Sequence, residues 1–326
     1  SIYPNVSHAV LFTDESWDAE REVFERAEET FEIQVDASAS NLELPTYNFF
    51  LSPYEPLASA SNMLHSVNHR EDSDGISRGN QLLLRYNDNY YPGLALRGLM
   101  EHTGINEFEV QGERLLLSRD SQLLFEVPLD HDGTYRLNYY KDLDEFSAFP
   151  ADNVIASAQA YFSGSGEPQV PVEAFEDKIV VVGSSALGLK DIKVTPMGNN
   201  VAGPYLHVTA MSNILQGHHL TEVDPWLSSL IAIALTLIIL GVTLFVPNGT
   251  TRAIVGGLLL LVWLAGVIAA FYYLGIVFEM ATTLVVFVLA YIGGLVFTSL
   301  NEAGEKNKIS SAMGKYLAPA VVNEVL

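Results

Sequence analysis

Over its last hundred residues the chain stops alternating and becomes continuously apolar. Trp226–Val246, Ala253–Tyr273 and Met280–Leu300 are three 21-residue blocks without a single Asp, Glu, Lys or Arg. About 20 residues of helix cross a bilayer core of ~30 Å, so the pattern predicts three transmembrane helices. The links between them are short: "PNGTTR" carries turn residues and Arg252, and "LGIVFE" carries one acid. Upstream, apolar residues come in short runs divided by polar turns. "HAVLFTD" predicts a strand ending at Asp14, and Asp18–Glu32 predicts a helix with Val23, Phe24, Ala27 and Phe31 on one face. "TYNFFLSP" is a second apolar run, and "EPLASASNMLHSV" has helical spacing. "GNQLLLRYNDNYYPGLALRGLMEHTG" predicts a strand, a turn at Asn87-Asp88-Asn89 and a helix ended by Gly104. Alternation through "FEVQGERLLLSRDSQLLFEVPLDHDGTYRLNYY" predicts hairpins, with turn chemistry at Asp132-Gly133. "KIVVVG" predicts a buried strand and Gly203–Gly217 a helix. Strands mixed with helices make this an α/β (α+β) domain, placed before a three-helix membrane segment.

Charge gives the arrangement a direction. Arg252, Lys306, Lys308 and Lys315 all fall on one side of the three spans, and basic residues near span ends favour the cytoplasm. Residues 1–222 are therefore expected outside, 223–300 in the membrane and 301–326 in the cytoplasm. The outer part holds 13 Lys+Arg against 34 Asp+Glu, a net of −21; the remainder holds 4 against 5, a net of −1, which recovers the total of −22. Such an acidic domain excludes nucleic acid as a partner, because phosphate binding needs basic patches. The chain has no cysteine, which removes disulfides, zinc–thiolate sites and thiol nucleophiles. A domain of about 220 residues buries an adequate core without them. Export of this domain leads us to expect a signal or anchor helix before Ser1.

Two stretches resemble a known family. "FEDKIVVVGSSALGLKDIKVTPMGNNVAGPYLHVTAMSNILQG" is similar to the C-terminal half of the type-two CHASE extracellular sensor family. The matching positions are Asp177, Lys178, Gly183, Asp191, Thr195, Pro196, Gly203, His207, Asn213, Leu215 and Gly217. Upstream, "DSDGISR" resembles the family's turn, through Asp72, Asp74, Gly75 and Arg78, and "YPGLALRGLM" its following helix. The resemblance covers Leu44–Gly217. It implies an extracytoplasmic sensor with an unknown ligand, followed by three spans in a bacterial inner membrane and an intracellular output module. That module is a class III nucleotide cyclase, a histidine kinase or a Ser/Thr kinase. "MGKYLAPAVVNEVL" is similar to the segment preceding class III cyclase domains, through Gly314, Tyr316, Leu317, Pro319, Val321 and Val322, with Met313 in place of the usual Phe. The resemblance thus implies an adenylate cyclase making cyclic AMP, a homodimer, and a catalytic domain beyond Leu326 holding Mg²⁺ or Mn²⁺. A kinase output and a non-enzymatic membrane-anchored binding protein remain the alternatives.

No residue of this chain is expected to be catalytic. Cyclase chemistry needs paired carboxylates on metal ions, and the tail offers only Glu302, Glu305 and Glu324. "GSSALGLK" fails as a phosphate loop: Leu189 sits where Lys belongs and no Ser or Thr follows Lys190. His65 and His69 stand four apart, a metal-ligand spacing on a helix, against the reading of ordinary turn histidines. His218-His219 titrate in a useful range but face apart on a helix. Asp72, Asp74 and Asp88 suit turns better than a calcium site, which takes six or more oxygens. In the spans, Gly256-Gly257, Gly266, Ala290 and Gly293-Gly294 permit close helix approach.

Overall fold

A computed structural model of the 326-residue chain describes residues 5–14, 32–36, 42–58, 60, 63–140, 146–185 and 191–313. The helix expected over Asp18–Glu32 lies outside these residues except for Glu32, and so do Gly314, Tyr316 and Pro319. The chain divides into two compact units, Ser1–Thr221 and Glu222–Leu326.

In the first unit the mixed α/β reading holds. Strand β1 (Ser7–Thr13) is followed by β2 (Val35–Asp36), β3 (Thr46–Tyr47), β4 (Phe49–Leu51), a helical turn α1 (Glu55–Ala58) and β5 (Met63–Ser66). β6 (Gly79–Gln81), β7 (Leu83–Tyr86) and β8 (Asn89–Pro92) lead into α2 (Leu94–Thr103). Then come β9 (Glu107–Gln111), β10 (Arg114–Arg119), β11 (Gln122–Pro128), β12 (Thr134–Arg136) and α3 (Ala151–Ser163). β13 (Ile192–Thr195), β14 (Gly198–Ala202) and α4 (Pro204–Gln216) complete the unit.

β1 is central to one sheet, parallel to β5 (Ser7 opposite Met63, Val10 opposite Ser66) and antiparallel to β4. A second sheet has the order β11-β10-β9-β2. Helix α2 ends where Gly104 takes a left-handed conformation and its N–H meets the Met100 carbonyl, a role that suits a residue without Cβ. The main core joins Leu96 and Leu99 of α2, Leu115 and Leu117 of β10 and Leu206, Ala210 and Ile214 of α4. A smaller aromatic core surrounds Phe12, whose ring lies 5.4 Å from Tyr91 and 5.6 Å from Tyr86. Both are at the separation at which tilted rings attract.

Two expectations are corrected. "EPLASASNMLHSV" is not one helix: among its described residues only Glu55–Ala58 is helical, and Met63–Ser66 is extended. All four residues of β5 are buried. A strand covered on both faces shows no alternation, so its sequence cannot be told from that of a buried helix. "KIVVVG" belongs to no sheet among the described residues. Ile179 and Val181 pack on the main core, while Val180 is 54% and Val182 91% exposed. The stretch has no regular secondary structure and is covered on one side only.

The second unit consists of three helices long and apolar enough to cross a membrane: α5 (Pro225–Phe245), α6 (Gly249–Leu274) and α7 (Met280–Met313). Asn248 caps α6 by accepting from the Thr250 and Thr251 N–H groups. α5 and α7 form the principal seam, and two of the glycines singled out above shape the packing. A Cβ on Gly294 would overlap Thr243, and one on Gly256 would come within 2.8 Å of the Tyr291 ring; Gly257, Gly266 and Gly293 face open space. Gly294→Leu is therefore expected to push α5 and α7 apart and destabilise the unit by about 1–3 kcal/mol. Gly293→Leu serves as the control, and equal thermal midpoints for the two variants in detergent would dismiss the seam.

Candidate functional site

The family-like positions fall into two groups, one holding the fold and one lining a cavity. Asn213, fully buried on α4, accepts from the Asn138 N–H at 2.8 Å and donates to the Asn138 carbonyl at 3.0 Å. It pins an irregular stretch to the helix. Thr195 accepts from the Met197 N–H across the turn that holds Pro196. Asp177 takes a positive φ of 53° just before Lys178, whose N–H reaches the Phe175 carbonyl at 3.4 Å.

Asp74, Gly75 and Arg78 build a clamp. Gly75 turns the chain at φ 77°. The Arg78 guanidinium donates to Asp72 at 2.7 Å and to both Asp74 oxygens at 3.0 and 2.8 Å. The hydrogen bond from Arg78 holds the Asp74 carboxyl below its ordinary range. Asp88, the third acid of the group, pairs with Arg85 at 2.8 Å. The clamp also holds the loop from His69 to Ser77. Ser77 donates its N–H to the Val194 carbonyl at 2.7 Å, and its hydroxyl meets His69 Nε2 at 2.7 Å.

Gly183, Asp191, Gly203 and His207 converge on one cavity of about 270 Å³, together with His65, His69, Lys193 and the apolar side chains of Ala9, Leu94 and Leu206. Parallel pairing of β1 with β5 sets Ala9 opposite His65, and His65 Nδ1 shares a 2.7 Å hydrogen bond with Ser7 Oγ. His207 lies in the first turns of α4, with Asn80 Nδ2 3.1 Å from its Nδ1. Two glycines let the walls close. A Cβ on Gly183 would overlap the Pro204 ring, and one on Gly203 would overlap the Asp191 carboxylate. Asp191 thereby places a negative charge at the N-terminus of α4, where the helix dipole favours it.

All three imidazoles are held neutral. Burial, then the neighbouring His207 and Arg97, pushes His65 down to about 3. Burial and Lys193 push His69 down to about 4. Burial, His69 and Lys193 do the same to His207. Low dielectric and nearby cations both disfavour imidazolium. His65 and His69 lie on a strand and a loop, so the helical metal spacing does not arise, and no metal-holding group of His, Asp or Glu occurs among the described residues. His218 is exposed, while His219 Nδ1 meets the Tyr135 hydroxyl at 2.9 Å and burial lowers its pKa. Gly188, Leu189 and Lys190 of "GSSALGLK" lie outside the described residues.

Sequence reading missed Ser7, Asn80 and Lys193 as cavity partners. They come together through strand pairings between distant segments, and no local spacing marks them.

A family model described as the CHASE2 domain matches residues 9–242. It takes in most of β1 and nearly all of α5, wider on both sides than the motif-bearing stretch Leu44–Gly217. No curated protein and no solved structure matches the chain.

Proposed function

We propose, from the premise that this chain belongs to the CHASE2 domain family, that it is the sensing and membrane part of a receptor adenylate cyclase. A mixed α/β sensor domain followed by three membrane-spanning helices makes it a transmembrane sensor. In the proposed mechanism residues 1–222 lie outside a bacterial inner membrane. A signal received there shifts helix packing and reaches a cytoplasmic class III domain that makes cyclic AMP from ATP. The single observation carrying the output is the likeness of "MGKYLAPAVVNEVL" to the segment that precedes such domains. That domain would bring its own carboxylates and Mg²⁺ or Mn²⁺, which stabilise charge on the transferring phosphoryl group.

The helices suit a passive transmitter. No acid or base lies within the three 21-residue blocks, whereas pumps and ion pathways place ionisable residues at depth. A homodimer belongs to this proposal, because class III sites form between two catalytic domains. Spare apolar surface for a second copy exists on α3, where Phe162 is 85% exposed and Tyr161 60%.

The test is an assay of the gene's complete product in membranes for cyclic AMP from ATP with Mg²⁺ or Mn²⁺. GTP is run in parallel, and a chain ending at Leu326 is the blank. Cyclic AMP from the complete product alone is the expected result. A folded dimer that makes none, but transfers phosphate to protein, would move the assignment to a kinase.

A further inference from the structure

We infer that the cavity between β5, β13 and α4 binds a small aliphatic carboxylate. The inference rests on reading this unit as the sensing domain and names the class of ligand that it takes.

The geometry begins with ring nitrogens that the fold leaves open. Each imidazole uses one nitrogen internally: His65 Nδ1 on Ser7, His69 Nε2 on Ser77 and His207 Nδ1 on Asn80. With the Asn80 amide donating to Nδ1, neutral His207 carries its proton on Nε2, which makes no hydrogen bond among the described residues. Only 8% of His207 is exposed, and it lines the cavity. His69 Nδ1 is buried with no partner among the described residues. A largely buried N–H without an acceptor is costly, so the cavity favours an occupant that accepts a hydrogen bond from His207.

Charge narrows the class. Lys193 also lines the cavity and, among the described residues, is tied only to Glu71, at 3.7 Å, an acid half open to water. Such a rim pair is weak and easily exchanged. Asp191 is an acid of the lining; its main-chain carbonyl accepts from the Gly203 N–H, and its carboxylate stands beside Gly203 at the N-terminus of α4, where the helix dipole takes up its charge. Asp72 is held by Arg78, and Arg97 is buried near Glu101 at 3.6 Å. A cationic ligand would therefore meet the Lys193 ammonium and the His207 N–H. A neutral polyol would satisfy the imidazoles and leave Lys193 unanswered. A carboxylate answers both with charge-assisted hydrogen bonds.

Size and lining fix the rest of the molecule. The 270 Å³ space equals the liquid volume of about nine waters. Beyond the polar groups its wall is Ala9, Val67, Leu94 and Leu206, which suits a short hydrocarbon body.

The experiment titrates the full chain in detergent micelles with acetate, propionate, butyrate and valerate at pH 7. Butyramide is the uncharged control, and the thermal midpoint of the outer unit is the readout. A saturable rise with at least one carboxylate, and none with butyramide, is expected. Lys193→Gln should weaken binding about ten-fold or more, the loss of one charge-assisted contact, and Glu71→Gln should strengthen it by freeing the lysine. Three results would overturn the inference: no saturable rise across the series, an equal rise with butyramide, or unchanged affinity in both variants. The readout is binding alone, so its failure leaves the cyclase assay untouched, and a failed cyclase assay leaves this result standing.

Discussion

Acidification from pH 7 to pH 4.5 is expected to strip the outer unit of most of its stability. His65, His69 and His207 titrate at about 3, 4 and 4 in the folded domain, against about 6.5 in an unfolded chain. Below pH 6.5 the unfolded chain therefore binds protons that the folded one refuses, and stability falls until the folded values are reached. Each imidazole contributes a slope of about 1.4 kcal/mol per pH unit; three together give about 4. A domain stable by roughly 5–15 kcal/mol loses most of its margin within two or three units. Asp74, held below its ordinary pKa, has the same sign at lower pH, where its pairing with Arg78 is lost as the carboxyl protonates. Urea titrations of the full chain in micelles, followed by near-ultraviolet dichroism of the buried Tyr91 and Tyr135, measure the slope. His207→Gln should flatten it by about one third. A stability that stays level from pH 6.5 to pH 5 would mean that the three rings are solvated.

Replacement of Arg252 by Leu is expected to be the most damaging single change in the helical unit. Arg252 is 7% exposed in the first turn of α6. Its guanidinium donates to the Val246 carbonyl, to the Pro247 carbonyl at 3.5 Å, to Thr298 Oγ1 at 3.2 Å and to Glu302 at 3.0 Å. One side chain thereby joins the end of α5, the start of α6 and the lower part of α7. The Glu302 pair is half exposed and adds little by itself. Pro247 is exposed, so its carbonyl adds little; the Val246 and Thr298 bonds to the charged guanidinium contribute about 1.5–3 kcal/mol each, and a loss of about 3–6 kcal/mol follows. Arg252→Lys keeps the charge but loses the planar fork and should recover only part. Detergent-driven unfolding of the two variants decides this, and an unchanged midpoint for Arg252→Leu would show that the contacts are incidental.

Local patterns made some of these elements legible and hid others. The 21-residue apolar blocks announced α5, α6 and α7 because a membrane span needs no tertiary information. Gly104 announced the end of α2 because only a left-handed cap needs glycine there. "MLHS" and "KIVVVG" were misread in opposite directions. The first is a strand with both faces buried, so no period marks it. The second has the composition of a central strand but is covered on one face only. At the site, His207, Gly183, Asp191 and Gly203 stood out as family-like positions without a stated role. The cavity they line depends on β1 meeting β5 and on β13 meeting β14, and those pairings gather Ser7, His65 and Lys193 from three distant stretches. Arg252 was read only as a topology signal. Its contacts on α7 lie 46 and 50 residues ahead, out of reach of any local rule.

Helix α7 runs for 34 residues without interruption from Met280. At 1.5 Å per residue it is about 51 Å long, some 20 Å more than a hydrocarbon core requires. A continuous helix has no joint at the bilayer surface, so it conveys angle as well as position. With 3.6 residues per turn, each residue advances the azimuth by about 100°. The face that α7 turns toward α5 at Gly294 therefore dictates the face it offers two turns later at Glu302, beside Arg252. In such a shaft the rotational phase at one end fixes the phase at the other.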